Sequence, residues 1–139
     1  MNDKHIFVDT NILVYAHDKQ GKDKHDIAKE KITELWMKES PPSLSIQVLQ
    51  ELYVNLVRKN VTEKDVRAIV VEYLVWEVIP NDQELFMAGI KIKERFKLSF
   101  WDSLIIAAAQ RAHAHIIWSE DLQNGQDFEG VVVINPLIS

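Results

Sequence analysis

His5-Ile6-Phe7-Val8-Asp9-Thr10-Asn11-Ile12-Leu13 sets the pattern of the chain: a short apolar run fit for a buried strand, an acid where it stops, then the first turns of a helix from Asn11 to His17. The alternation repeats downstream. Lys22 to Glu39 reads as an amphipathic helix carrying Ile27, Ile32, Leu35 and Trp36, stopped by Pro41 and Pro42. Ser43 to Ser45 is a short strand before a helix from Ile46 to Lys59 with the stripe Val48, Leu49, Leu52 and Leu56, and Asn60 suits its end. A helix from Thr62 to Val75, opened by the capping pattern Thr62-Glu63-Lys64-Asp65, leads to a strand at Trp76 to Ile79.

Asp82 to Lys97 repeats the helical spacing through Leu85, Ala88, Ile92 and Phe96, and Ser99 caps an apolar helix running to about His113. His115 to Trp118 and Val131 to Ile134 are strands separated by a polar connection, Ser119 to Gly130. Strands that alternate with helices, with little hairpin chemistry between them, predict an α/β fold: a central, mainly parallel sheet of four to five short strands flanked by helices.

Composition narrows the chemistry. With 139 residues, 47% of them apolar, and only 4 Gly and 4 Pro, the chain reads as a single domain spanning 1–139. It has no cysteine, which excludes disulfides, thiolate nucleophiles and thiolate metal sites. Sixteen basic against 21 acidic residues give a net charge of −5, so bulk positive charge does not hold a nucleic acid here, although an enzyme acting on one is not excluded. A charged lead, Met1 to Lys4, followed by a brief apolar stretch does not make a signal peptide, and no apolar run approaches the roughly 18 residues of a membrane span. A cytoplasmic protein with no membrane partner is the expectation.

In an open parallel sheet, functional groups collect where strands give way to helices at their carboxyl ends. Asp9 follows the first strand, Ser119-Glu120-Asp121 follows the strand ending at Trp118, Glu51 lies early in one helix and Asp102 in the first turn of another. Each has an ordinary explanation when taken singly. Asp9 is placed to cap a helix, Asp102 completes a Ser99-x-x-Asp102 capping box, Glu51 flanks an apolar stripe, and Asp121 suits a turn. Asp102, however, shares its helical face with Ile105, Ile106 and Ala109, an unusual setting for a purely solvated charge.

Four stretches in order resemble the PIN-domain family: Phe7-Val8-Asp9-Thr10-Asn11-Ile12-Leu13-Val14-Tyr15; Ser45-Ile46-Gln47-Val48-Leu49-Gln50-Glu51; Leu98-Ser99-Phe100-Trp101-Asp102-Ser103-Leu104-Ile105; and Ser119-Glu120-Asp121-Leu122 with Ile134-Asn135-Pro136. Within that family the chain looks most like the small VapC-type toxin ribonucleases of toxin–antitoxin pairs. The resemblance implies a PIN-like fold in which Asp9, Glu51 and Asp102 are metal-site acids and Asp121 the fourth, with Asn11 and Ser119 as supporting polar residues. Adjacent residues of an extended segment point opposite ways, so Glu120 and Asp121 compete for the fourth place, and the motif match favours Asp121.

Carboxylates brought together repel one another unless a cation neutralises them, which implies a divalent metal. Hard oxygen donors with no motif-matched histidine favour Mg2+ or Mn2+ over zinc. The implied reaction is endoribonuclease hydrolysis, an in-line attack of metal-activated water on an RNA phosphodiester with Asp9 and Asp102 as principal ligands. Whether one or two ions act stays open.

Lys91, Lys93, Arg95 and Lys97 are candidates for holding the RNA substrate, with Lys22, Lys24, Arg58 and Lys59 behind them; a solvated helical face explains the first group equally well. The five histidines have no metal-site spacing, and Trp36, Trp76, Trp101 and Trp118 read as core residues rather than base-stacking platforms. The family likeness also implies a homodimer and a cognate antitoxin protein covering the acidic groove. Other readings are a PIN-like nuclease in RNA processing or acting on DNA, an inactive PIN-like interaction module, and a phosphatase working through an aspartyl phosphate. Against the last stands Asn11, where that chemistry expects a second acid.

Overall fold

A computed structural model describes residues 4–138; the first three residues of the charged lead lie outside them. Three parallel strands form the centre: β1 (Ile6–Val8), β2 (Ser43–Ser45) and β4 (Ile116–Trp118), extended by β3 (Glu77–Ile79) beside β2 and by β6 (Val131–Ile134) beside β4. A two-residue strand, β5 (Asp127–Phe128), pairs antiparallel with β6, so the order across the sheet is β3-β2-β1-β4-β6-β5. The sheet therefore has six strands rather than four to five. The extra one lies inside the stretch expected to be a polar connection, and two residues are too few to show a period. Gly130, at φ +104, supplies the left-handed turn that folds β5 back onto β6.

Among the described residues six α-helices cover the sheet: α1 (Thr10–His17), α2 (Asp23–Trp36), α3 (Ile46–Arg58), α4 (Glu63–Tyr73), α5 (Gln83–Phe96) and α6 (Phe100–Arg111). Capping fixes most of their starts, with Ser45, Thr62, Asp82 and Ser99 each accepting a backbone N–H three residues on. α2 ends at Trp36, before the proline pair, because the N–H of Met37 turns back to the Glu34 and Leu35 carbonyls and the chain leaves the core there. α4 likewise ends at Tyr73, with Leu74 as its cap.

One apolar cluster runs through the sheet and its helices, centred on Phe7, Val8, Ile12, Leu13, Leu44, Leu52, Leu56, Ile106 and Ile117. α6 is buried along nearly its whole length, and Gly89 of α5 lies so close to it that an added Cβ would stand 2.7 Å from Leu104 Cδ2. The tryptophans divide. Trp76 and Trp118 are buried as expected, whereas Trp36 is 39% and Trp101 61% exposed, a correction to the core reading of all four. Trp101 occupies the outward position of the first turn of α6, whose inward positions Ser103 and Leu104 fill.

The chain passes from β1 outward through β2 and β3, then returns to the other flank of β1 with β4. The crevice between β1 and β4 is thus the point where strand order reverses, and Asp9 and Ser119 follow those two strands.

Candidate active site

Asp9 caps α1, but only in part: its Oδ1 accepts the N–H of Thr10 at 2.7 Å, which leaves Oδ2 free for another partner. That partner is Ser119, whose Oγ donates to Oδ2 at 2.8 Å across 110 residues of sequence. Below them the Asp9 N–H bonds the Trp118 carbonyl at 2.9 Å, so the main chain and the side chains both close the crevice. Asp9 is only 6% exposed. Burial pushes its carboxyl up to about 7, the Glu51 and Asp121 charges push the same way, and the bonds from Ser119 and Thr10 restrain the rise.

Glu51, in the second turn of α3, is held by two residues that sequence reasoning missed. Thr10 Oγ1 donates to its Oε1 at 2.6 Å, and Gln47 Nε2 donates to its Oε2 at 3.1 Å. Gln47 also reaches the Trp101 carbonyl at 3.3 Å, tying α3 to the first turn of α6. The available clue to Gln47 was its place four residues before Glu51 on one helical face, where such pairs meet.

Asp102 is half-buried in that first turn, its N–H bonded to Ser99 Oγ at 3.1 Å. Ser99 thus caps the helix through the Asp102 N–H, and its hydroxyl also acts on the Asp102 carboxyl. Burial raises its pKa, the hydrogen bond from Ser99 restrains the rise, and the charges of Asp121 and Glu51 add to it. These couplings link Asp9, Glu51, Asp102 and Asp121 in one acidic cluster at the carboxyl end of the sheet.

The turn after β4 separates Glu120 from Asp121. Ser119 Oγ accepts the N–H groups of Asp121 and Leu122, each at 3.2 Å, while Asn11 Oδ1 accepts that of Glu120 at 3.0 Å. The Glu120 side chain leaves the cluster for Tyr15 and Lys24, and its carboxyl is drawn below its ordinary range by those two partners against the opposing effect of burial. Asp121 is the member of the pair whose charge acts on Asp9 and Asp102.

A cavity of about 260 Å³ opens beside the cluster, lined by Thr10, Asn11, Tyr15, Glu51, Lys59 and Asp121 among others. Its cation is Lys59, paired with Asp18 at 3.3 Å. Lys91, Lys93 and Arg95 on α5 and Lys97 just after it are exposed and do not line it. Arg95 is drawn to Glu129 at 3.7 Å, before β6 begins, at the end of the sheet opposite Asp9. A larger cleft of about 640 Å³ lies among α1, α2 and α4, with Lys59 at its junction with the acidic cavity.

None of the described ion pairs engages the four clustered acids. An all-oxygen donor set under its own repulsion suits a hard divalent cation. Among the described residues no three acidic or histidine side chains stand at ready-made ligand spacing.

The PIN domain family model matches residues 6–125, which include all four acids. The chain belongs to the PIN-domain family. A PIN fold places its sheet and helices as described. Solved structures agree on the fold. A toxin–antitoxin complex from Klebsiella pneumoniae superposes with a TM-score of 0.70 at 20% identity, covering 95% of this chain and 97% of that one. Mycobacterium tuberculosis VapC20, a toxin that cleaves the sarcin–ricin loop, gives 0.66 at 19% identity over 84% and 89%. VapBC2 from Rickettsia felis, bound to a DNA fragment of its promoter, gives 0.65 at 18% identity over 92% and 96%. No curated protein sequence matches the chain significantly. Among the described residues no helix is long and apolar enough to cross a membrane.

Proposed function

We propose that this PIN domain, spanning 1–139, is a metal-dependent endoribonuclease and the toxin component of a type II toxin–antitoxin pair acting in the cytoplasm. The observation that carries the reading is the buried Asp9 carboxylate with Glu51, Asp102 and Asp121 around it and no described cation paired to any of them. Asp9 and Asp102 would hold Mg2+ or Mn2+, with Glu51 and Asp121 completing its surroundings. When bound, the ion lowers the pKa of a water and offsets charge on the phosphoryl oxygens.

The chain's own residues do the rest. Ser119 and Thr10 fix the two Asp9 oxygens, so that carboxylate pays little to become organised around a cation. Thr10 and Gln47 fix both Glu51 oxygens on one wall of the cavity, where a water attacking the phosphorus can be oriented. Lys59, on the same wall, offers a phosphate of the RNA strand a positive contact that an acidic protein otherwise lacks.

Three similar structures contain toxins or toxin–antitoxin assemblies, which supports an antitoxin partner closing this cavity. Val71, Leu74 and Val75 around α4, with Tyr53 and Val54 of α3, expose an apolar surface that supports a homodimer. The test is 5′-end mapping of total cellular RNA incubated with the purified protein and Mn2+, beside a chelator control and Asp102→Asn. New ends that need both the metal and Asp102 are expected. A folded, inhibitor-free protein that yields none would shift the reading to a DNA nuclease or an inactive interaction module.

A further inference from the structure

Asp121 belongs to the acidic cluster, yet it is exposed and its carboxylate has no hydrogen bond among those described. Repulsion from Asp9 and Asp102 should swing it away. What opposes that swing lies one residue earlier. The Glu120 carboxylate is held by both oxygens: Tyr15 donates its hydroxyl to Oε1 at 2.9 Å and the Lys24 ammonium donates to Oε2 at 2.5 Å. Lys24 also reaches the Tyr15 hydroxyl at 3.4 Å and lies 5.1 Å from the centre of its ring. Tyr15 and Asn11 stand four residues apart on α1; one takes the Glu120 side chain and the other its N–H.

We propose that Glu120 is a positioning residue and that Lys24 and Tyr15 act through it: by drawing Glu120 outward against α1 and α2, they fix the bend after β4 so that Asp121, the next residue, stays at the metal site. The inference rests on the nuclease reading above and adds to it Lys24 and Glu120, which do not line the acidic cavity, and Tyr15, which does. It also explains why a surface lysine and a tyrosine converge on an acid adjoining the cluster. Unheld, Glu120 would be a fifth negative group free to turn either way.

Lys24→Met separates this role from a simple field effect, because the two predict opposite signs. Removing a nearby positive charge should by Coulomb's law strengthen binding of a cation, whereas releasing Glu120 and Asp121 should weaken it. Mn2+ alone is the probe, followed by titration calorimetry on the full chain, with RNA cleavage measured in parallel. We expect Lys24→Met to weaken Mn2+ binding by about tenfold, the scale of lost outer-shell support, and to lower kcat more than it raises KM. Lys24→Arg should restore both. Tyr15→Phe, which loses one hydroxyl, should move the affinity in the same direction by less. In a Glu120→Gln background the Lys24→Met change should have little further effect.

Equal or tighter Mn2+ binding by folded Lys24→Met overturns the proposal. So does a rise in KM at unchanged Mn2+ affinity, which would make Lys24 a substrate contact. A wild-type chain that neither binds Mn2+ nor cleaves RNA removes the nuclease reading, and the positioning role with it; a wild type that does both beside an indifferent Lys24→Met removes the positioning role alone.

Discussion

Ser119 Oγ donates to Asp9 Oδ2 at 2.8 Å and accepts two backbone N–H groups from the turn that carries Asp121. One hydroxyl thus joins the acid after β1 to the acid after β4. Ser119 is fully buried, so Ser119→Ala leaves a buried carboxylate short of a donor and two N–H groups short of an acceptor. The expected cost is about 1–3 kcal/mol of stability, read by urea unfolding with a metal chelator present, together with weaker Mn2+ binding. A variant as stable as the wild type in those melts would show that Ser119 does not organise the site.

Asp102→Asn keeps the helix start, since the cap bond uses the Asp102 N–H and the Ser99 hydroxyl rather than the carboxylate. The variant should melt within a few degrees of wild type and show no metal-dependent cleavage. Normal cleavage by the folded variant would mean that the site lies elsewhere.

Asp9 and His17 set opposing pH dependences, so a difference between chains is the useful measurement. The folded Asp9 carboxyl, at about 7 against its ordinary 3.8, contributes stability that is full below 3.8 and lost as pH rises through about 7. His17, lowered by burial to about 4 from 6.5, contributes stability that is present above 6.5 and lost as pH falls through about 4. Between those limits the two largely offset in the metal-free protein. Asp9→Asn removes only the first, so relative to wild type it should gain stability between pH 4.5 and pH 8 by up to a few kcal/mol. Saturating Mn2+ at pH 8 should reverse the ranking, because the wild-type carboxylate gains a ligand. Parallel stability–pH curves for the two chains would refute the assignment of the raised pKa to Asp9.

Gly89→Ala tests how α5 seats α6, and through it Asp102. The added methyl would stand 2.7 Å from Leu104 Cδ2, too close without movement of a buried side chain. The expected loss is about 1–3 kcal/mol in thermal or urea unfolding. An unchanged melting temperature would show that the two helices can part without cost.

Much of this was legible locally. Asp9 at a strand end, the Ser99 cap before Asp102 and the β6 boundaries at Val131 and Ile134 all depend on neighbours within four residues, the range over which caps and periodicity act. β5 was not legible, because its two residues are strand only through pairing with β6. The exposure of Trp101 and the turning of Arg95 toward Glu129 were likewise hidden, since composition says how apolar or charged a side chain is but not which element lies opposite it.

By itself, then, the sequence determined the order of the helices and of every strand but β5, and it marked four acids as candidates. The tertiary structure decided their company: Thr10 on Glu51 across 41 residues, Ser119 on Asp9 across 110, and Lys24 on Glu120 across 96. The physical reason is the parallel sheet. Its neighbouring strands come from distant parts of the chain, so the crevice between β1 and β4, and the buried repulsion that favours a cation there, exist only once those strands have paired.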